Sequence, residues 1–272
     1  MGVSLCIFLY LKGIRNKKVY FINSGLFEKK SNNIFITLCN NFIIKFAINI
    51  SDKIIFTSSR EYQYAFEKSN FQNDKFALIP FCIDTNYWKT NRLDFSQKDG
   101  ILFVGNNEFR DIKKVIEIAK RLKEIKFTLL TSLIEKDIEI PKNIELIKGD
   151  LNKKIVDDSE VKKLYEKSRL TILPIKENIV TSSGQSVALQ SLGMGTPVII
   201  NKTGGFWEDP LDADLYGYTL VNNDIEEWIS KIKEIYNDEK KLNKISRKGI
   251  ETVNNKFNFD IFNKEMEKLI IN

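Results

Sequence analysis

The chain has 272 residues, of which 43% are apolar and 29% are charged, with three cysteines, no histidine and a net charge of +6. This length is enough for one large globular domain or two small ones. The absence of histidine excludes Ser-His-Asp triads, histidine general bases and most zinc sites. Cys6, Cys39 and Cys82 lie far apart and share no metal-ligand spacing, which favours reduced thiols in a cytoplasmic protein.

The positive charge is concentrated at the start of the chain. Residues 1–60 contain nine Lys or Arg residues against Glu28 and Asp52, a net charge of +7, so the rest of the chain carries −1. The apolar segments Val3–Leu11 and Ile34–Ile50 are too short, or too interrupted by polar residues, to span a bilayer. Basic charge beside apolar segments favours peripheral contact with an anionic membrane, at its inner face, over nucleic-acid binding. A solvated basic face accounts for the charge equally well.

Short β-rich runs alternate with helical patterns along almost the whole chain, which is typical of βαβ units in a parallel sheet. In chain order, the predicted helices are 3–12, 33–50, 60–69, 111–124, 158–168, 186–194, 224–236, 238–255 and 260–270. The predicted strands are 19–23, 54–58, 76–80, 101–105, 127–131, 144–148, 170–174, 198–201 and 218–221. Several strands are apolar throughout, as expected when both faces of a sheet are covered.

A polar stretch without periodicity, residues 85–99, predicts a linker between two α/β lobes. Residues 1–84 then form an N-terminal Rossmann-like lobe, and residues 100–257 form a second, longer one. The amphipathic pattern of residues 258–272 predicts a last helix that packs back on the N-terminal lobe.

A polar turn that contains a glycine precedes the short apolar helix near residue 190. Such a turn directs free backbone N–H groups and the positive end of the helix dipole at one point, which can bind phosphate without a metal. The candidate ligands are the hydroxyl groups of Ser182 and Ser183 and the amides near Gly184, Gln185 and Ser186. The Ser-x-x-Gln spacing also predicts a capping box between Ser182 and Gln185, and the two interpretations are compatible.

A second turn, from Gly105 to Asp111, follows an apolar strand. A glycine and a cation, here Arg110, at the carboxyl end of a parallel strand can receive a phosphate group. The turn has neither the P-loop nor the GxGxxG pattern. Asp111 is also the expected N-cap of the helix that follows.

Taken together, these segments resemble the family-4 (group 1) retaining glycosyltransferases, which have the two-lobed GT-B fold. Ile54–Ser59 resembles a strand and helix start of the first lobe, and FALIPFCID resembles the hinge between the lobes. ILFVGNNEFRD resembles the strand and turn that open the second lobe. The last two matching segments, in family order, are Leu164–Pro174 and Gly184–Ile199.

The resemblance implies a fold of two Rossmann-type parallel-sheet lobes and transfer of a sugar from a nucleotide-diphosphate sugar. The acceptor would be a glycan or a lipid-linked acceptor in cell-surface polysaccharide synthesis, with no cofactor and no metal. Gly105, Asn106, Arg110 and the turn at 182–186 would bind the donor diphosphate and sugar, and Gln190 the ribose. The family commonly has glutamates where this chain has Ser182 and Gln190. No catalytic residue is identified.

The N-terminal lobe is short for this fold. A complete doubly wound lobe of six strands needs roughly 180 residues at ~30 residues per βα unit, whereas residues 1–84 contain three clear strands. One alternative is therefore the donor-binding half of a split two-chain glycosyltransferase, with a partner chain that supplies the missing half. An inactive truncated remnant is a further alternative. A nucleotide-sugar epimerase ranks last, because its usual histidine is absent.

Overall fold

The structure, a computed structural model, describes residues 2–14, 16–23, 25–28, 31–69, 73–91, 93–134, 138–149, 156–207 and 217–271. The chain divides into two compact units. The first unit comprises Met1–Pro80 with two short later segments, Asn178–Ser182 and Gly204–Asp209. The second unit comprises Phe81–Glu177, Ser183–Thr203 and Pro210–Asn272.

The first unit contains a parallel sheet of three strands in the order β1-β2-β3. Its elements are α1 (Gly2–Leu11), β1 (Tyr20–Ile22), α2 (Ile34–Ile50), β2 (Lys53–Phe56), α3 (Ser59–Ser69) and β3 (Phe76–Leu78). The core includes Ile44 and Ile48 from α2, Ile54 and Phe56 from β2, and Phe76 from β3. Ile54 and Phe56 alternate along β2 and therefore point to the same face of the sheet.

The second unit contains a parallel sheet of six strands in the order β6-β5-β4-β7-β8-β9. Its elements are β4 (Ile101–Val104), α4 (Ile112–Arg121), β5 (Phe127–Leu130), β6 (Ile144–Ile147), α5 (Asp158–Lys167), β7 (Leu170–Leu173), α6 (Gln185–Gly193), β8 (Val198–Asn201), β9 (Tyr218–Val221), α7 (Ile225–Tyr236), α8 (Glu239–Lys256) and α9 (Phe259–Ile271). Every residue of β4, β7 and β8 is buried. The strand order reverses between β4 and β7, and such a reversal is where open α/β sheets bind ligands.

Four helices of the second unit, α4, α5, α7 and α8, start at aspartate caps. The Asp111 side chain accepts a hydrogen bond from the Lys114 N–H and caps α4, as predicted. Asp157 caps α5 in a capping box with Glu160. Each carboxylate satisfies N–H groups that have no partner inside the helix and interacts favourably with the helix dipole.

The predicted fold class is confirmed, because both lobes are built from parallel strands and the first sheet is the smaller one. Each predicted strand and helix is present, with ends that differ by at most three residues. The largest difference is at α4, which ends at Arg121 rather than at residue 124. There the Asn143 side-chain amide donates to the carbonyl oxygens of Leu122 and Ile125, so the chain leaves the helix early.

The division of the structure falls between Pro80 and Phe81, and it groups residues 81–99 with the second unit. The Ile83 N–H, for example, donates to the Phe257 carbonyl oxygen at 2.9 Å. Helix α9 is also grouped with the second unit. The predicted linker at 85–99 and the packing of residues 258–272 on the first lobe stay predictions.

Candidate functional site

Arg110 lies in the turn between β4 and α4, at the carboxyl end of β4. Its backbone pairs with Ile175, just after β7, in an isolated antiparallel bridge. Its side chain is buried, with 5% of its surface exposed. The guanidinium Nη1 donates to the Ser183 Oγ at 2.8 Å. The Asn107 side-chain amide donates to the same hydroxyl oxygen at 3.2 Å, so Ser183 joins the two turns that the sequence indicated.

The charge of Arg110 has no counterion among the described residues. None of the ion pairs formed by these residues includes Arg110, and its Nε has no hydrogen-bond partner among them. Burial lowers the pKa of Arg110 to about 10, which still leaves the guanidinium charged at neutral pH. A buried cation with an unused donor is costly unless an anion approaches it.

Helix α6 begins next to this guanidinium. Its N-cap is Gly184, in the left-handed conformation at φ 91°, and no side chain caps the helix. The predicted capping box between Ser182 and Gln185 is therefore wrong. The left-handed turn at Gly184, which glycine adopts without strain, takes the capping position that Ser182 was expected to hold. The first turn of α6 thus presents backbone N–H groups and the positive end of the helix dipole without a side-chain acceptor.

Two glycines let the Arg110 side chain lie close to the backbone. A Cβ atom at Gly105 would lie 2.4 Å from the Arg110 Nε, and a Cβ atom at Gly184 would lie 3.2 Å from its Nη1. Neither position accepts a side chain without moving Arg110. We call Gly105, Arg110, Ser183 and Gly184 the Arg110 site. It combines a buried cation, a hydroxyl group and a helix N-terminus, which is the chemistry that binds phosphate.

The remaining residues that the sequence predicts at the site differ in burial and in their contacts. The Asn106 side chain donates to the Gly149 carbonyl oxygen at 2.7 Å and accepts from the Ser132 N–H, so it ties the turns after β4, β5 and β6 together. Gln185 is buried, Ser186 is exposed and Gln190 is half-buried on α6. Their contacts with a ligand stay predictions.

Ser182 belongs to the first unit, in a polar cluster that sequence reasoning missed. The buried Glu61 carboxylate accepts from the Asn23 side chain at 2.6 Å and from the Gly25 N–H at 3.1 Å. Burial raises the pKa of Glu61, and hydrogen bonds from Asn23, Gly25 and Ser182 oppose that shift. Glu28 accepts from the Thr181 N–H and hydroxyl, both at 2.9 Å. No local pattern indicates these contacts, because those of Glu61 join residues 36 and 38 positions apart and those of Glu28 join residues 153 positions apart.

The described residues contain no group of three or more His, Cys, Asp or Glu side chains that could hold a metal ion. Asp212 and Asp214, which form a DxD pair in the sequence, lie outside the described residues. The three cysteines are free thiols.

Residues 142–252 match the family model described as Glycosyl transferases group 1. The match covers β6 to α8, and so it includes Ser183 and Gly184 but not Gly105 or Arg110. A comparison with curated protein sequences gives no significant match.

Solved structures share the fold of this chain. Sucrose-phosphate synthase from Thermosynechococcus elongatus has a TM-score of 0.75 and 14% identity over 97% of this chain and 70% of its own. Anabaena HepE, solved with UDP and glucose, has a TM-score of 0.76 and 13% identity over 99% and 74%. WaaG, a glycosyltransferase involved in lipopolysaccharide biosynthesis, has a TM-score of 0.66 and 10% identity over 93% and 74%. The chain thus has the GT-B fold of these glycosyltransferases.

Proposed function

We propose that the protein is a glycosyltransferase that moves a sugar from a nucleotide-diphosphate sugar to a glycan or a lipid-linked acceptor. The observation that carries the proposal is the Arg110 site, where a buried cation without a counterion lies beside the uncapped start of α6. The group 1 match and the GT-B fold support a transferase. The UDP and glucose bound to the similar HepE structure support a nucleotide-sugar donor.

In this proposal the donor diphosphate occupies the Arg110 site. The bond from the sugar C1 to the diphosphate oxygen breaks, and its electron pair stays on that oxygen. The acceptor hydroxyl oxygen bonds to C1 and its proton passes to the departing diphosphate. Arg110 and the N–H groups of the first turn of α6 stabilise the negative charge that develops, which is the electrostatic route to catalysis. We propose retention of the anomeric configuration and no requirement for a metal.

Calorimetric titration with UDP, GDP and ADP tests the donor site. We expect one of the three to bind, and Arg110→Met to weaken its binding by about 10- to 100-fold through loss of charge-assisted hydrogen bonds. Arg121→Met is the matched control, because Arg121 is exposed and pairs with the exposed Glu226. Equal affinity of wild type and Arg110→Met would place the phosphate elsewhere.

A transfer assay with a panel of nucleotide sugars tests the activity. We expect donor hydrolysis or transfer that persists in EDTA, with the configuration of the product read by NMR. Absence of turnover with every donor and acceptor would contradict an enzyme that acts alone.

The second candidate is a donor-binding half that works with a partner chain. It is favoured by the contrast between three strands in the first sheet and six in the second. This candidate predicts nucleotide binding that depends on Arg110 but no turnover until a partner chain is added. Cytoplasmic function at the inner membrane face, in cell-surface polysaccharide synthesis, is part of the proposal in either form.

A further inference from the structure

A groove in the second unit lies between the start of β9, the end of α7 and residues 240–251 of α8, with a volume of about 1230 Å³. At its base β9 begins directly against α8, where a side chain at Gly217 would collide with the Gly249 backbone. The strands of this sheet are all parallel. The groove, at the amino end of β9, and the Arg110 site, at the carboxyl end of β4, therefore lie at opposite ends of the sheet. We call it the α7–α8 groove.

The lining of the α7–α8 groove is strongly basic. Six cations face two carboxylates, those of Glu234 and Glu251, which gives the lining a net charge of +4. The cations are Lys231, Lys240, Lys241, Lys244, Arg247 and Lys248. A concave surface lined by one sign of charge attracts ions of the opposite sign.

The two carboxylates are already paired with neighbouring lysines. Glu234 pairs with Lys231 at 2.7 Å and also with Lys241, and hydrogen bonds from these two lysines lower the pKa of Glu234. Glu251 pairs with Lys248 at 3.2 Å. Neither carboxylate is therefore available to the other three cations.

These three cations, Lys240, Lys244 and Arg247, form a row along α8. Their side chains are exposed and form no ion pair with any described residue. Spacings of four and three residues place them on one side of the helix, over about 10 Å of its axis. Like charges four residues apart destabilise a helix, so the row destabilises α8 until an anion from outside the chain lies along it.

We propose that the α7–α8 groove binds a linear anionic glycan, a chain of sugars that carries an acidic group at regular intervals. A row of cations along a helix matches a row of anionic groups along such a chain, and basic clusters bind acidic polysaccharides in this way. The groove is larger than the roughly 300–1,000 Å³ of a small-molecule pocket, which favours an extended ligand. The choice of a glycan rests on the proposed function, whereas the groove itself is separate from the donor site.

Two other extended polyanions fit the lining less well. Single-stranded nucleic acid stacks its bases on aromatic side chains, but the one aromatic residue among the described residues of the lining, Tyr218, is only 2% exposed. A membrane surface requires large exposed apolar side chains beside the cations, and the described lining has none. Within the described parts of the chain, no helix is long and apolar enough to cross a membrane.

Calorimetric titration of the full chain with decagalacturonate, which has a carboxylate on every sugar, tests the proposal. We expect the wild type to bind it with an affinity that falls as salt is added. Maltodecaose, an uncharged chain of the same length, should not bind. Lys240→Gln with Lys244→Gln and Arg247→Gln, the groove variant, should weaken decagalacturonate binding by at least about ten-fold because three cations no longer pair with carboxylates.

The matched control is Lys120→Gln with Lys123→Gln and Lys264→Gln. These lysines are also exposed cations of the second unit, but they do not line the groove. The control has the same net charge as the groove variant, and we expect it to bind decagalacturonate like the wild type. The groove variant should unfold at a urea concentration no lower than that of the wild type, because it loses like charges from one side of α8. Weaker binding would then not result from unfolding.

Failure of the wild type to bind decagalacturonate, or equal binding by the groove variant, would overturn the proposal. Tighter binding of an oligouridylate with the same number of charges would also overturn it, since the groove would then be a nucleic-acid site. Titration with UDP, GDP and ADP separates this inference from the proposed function. We expect the nucleotide affinity of the groove variant to match that of the wild type whatever the glycan result. A loss of nucleotide affinity in the groove variant would mean that the groove holds the nucleotide phosphates, and would contradict the glycan site.

Discussion

The two ends of strand β4 each carry a buried cation, and the two cations have different surroundings. Lys98 precedes the strand and Arg110 follows it, and each is 5% exposed. The Lys98 ammonium donates to the Thr196 hydroxyl oxygen at 3.2 Å and lies 5.2 Å from the centre of the Phe95 ring. Arg110 keeps an unused Nε and faces the uncapped start of α6.

Burial of a cation therefore does not by itself create an anion-binding site. Beside Lys98 the sheet presents its amino end and the space is filled by Phe95 and Thr196. Beside Arg110 the sheet presents its carboxyl end, where parallel sheets bind ligands, and Gly105 and Gly184 let the Arg110 side chain lie close to the backbone. We therefore expect Lys98 to affect stability and Arg110 to affect ligand binding.

Lys98→Met should have the largest effect on stability. Burial lowers the pKa of Lys98 from 10.5 to about 8. Between those pH values the unfolded chain binds a proton that the folded chain does not, so the free energy of unfolding of the wild type rises from pH 8 to pH 10.5. At neutral pH the ammonium costs about 3 kcal/mol, and its replacement should raise the free energy of unfolding by about 1–3 kcal/mol.

Urea unfolding across pH 7 to 10.5 measures this effect. The variant should lose the rise in stability with pH while its nucleotide affinity stays that of the wild type. If Lys98→Met destabilises the protein at pH 7 or abolishes nucleotide binding, then the Lys98 ammonium contributes to folding or to binding. Either result would contradict the expected difference between Lys98 and Arg110.

Gly105→Ala should weaken nucleotide binding because it displaces the Arg110 side chain. The added Cβ would lie 2.4 Å from the Arg110 Nε, so the guanidinium has to move away from Ser183. We expect nucleotide affinity to fall by about 10- to 100-fold, as for loss of the charge-assisted contacts themselves. A double-mutant cycle gives the control: in the Arg110→Met background the glycine substitution should have little further effect. Full additivity of the two losses would mean that Gly105 acts independently of Arg110.

The sequence allows the elements to be predicted but not the long-range contacts of the site. Strand β4 is recognisable because it is apolar at every position, and β7 because Thr171 is its one polar residue. Helix α4 is recognisable because its acidic cap precedes an amphipathic run. The turns at Arg110 and Ser183 were identified from local pattern and family resemblance together. Their contact at 2.8 Å joins residues 73 positions apart, which no local signal encodes.

Other features depend on tertiary packing in the same way. The Asn106 side chain, whose contact with the donor stays a prediction, has bonds to Ser132 and Gly149 that are set by the neighbouring strands. The segment Asn178–Ser182 belongs to the first unit because Glu28 accepts from its backbone N–H groups. Sequence periodicity carries no information about such a pairing.

Of Lys98→Met, Gly105→Ala and Ser183→Ala, the last should have the smallest effect. It tests how the Arg110 guanidinium is held in position. The substitution removes the hydroxyl that accepts from Arg110 Nη1 and from the Asn107 amide but keeps the charge, both glycines and the helix N-terminus. Loss of a hydrogen bond of this kind is worth about 0.5–1.5 kcal/mol, so we expect a two- to ten-fold weaker nucleotide affinity by calorimetry. Ser230→Ala, at an exposed position of α7 in the same unit, is the matched control. A loss as large as that of Arg110→Met would mean that the hydroxyl itself binds the ligand, because positioning alone leaves the cation in place.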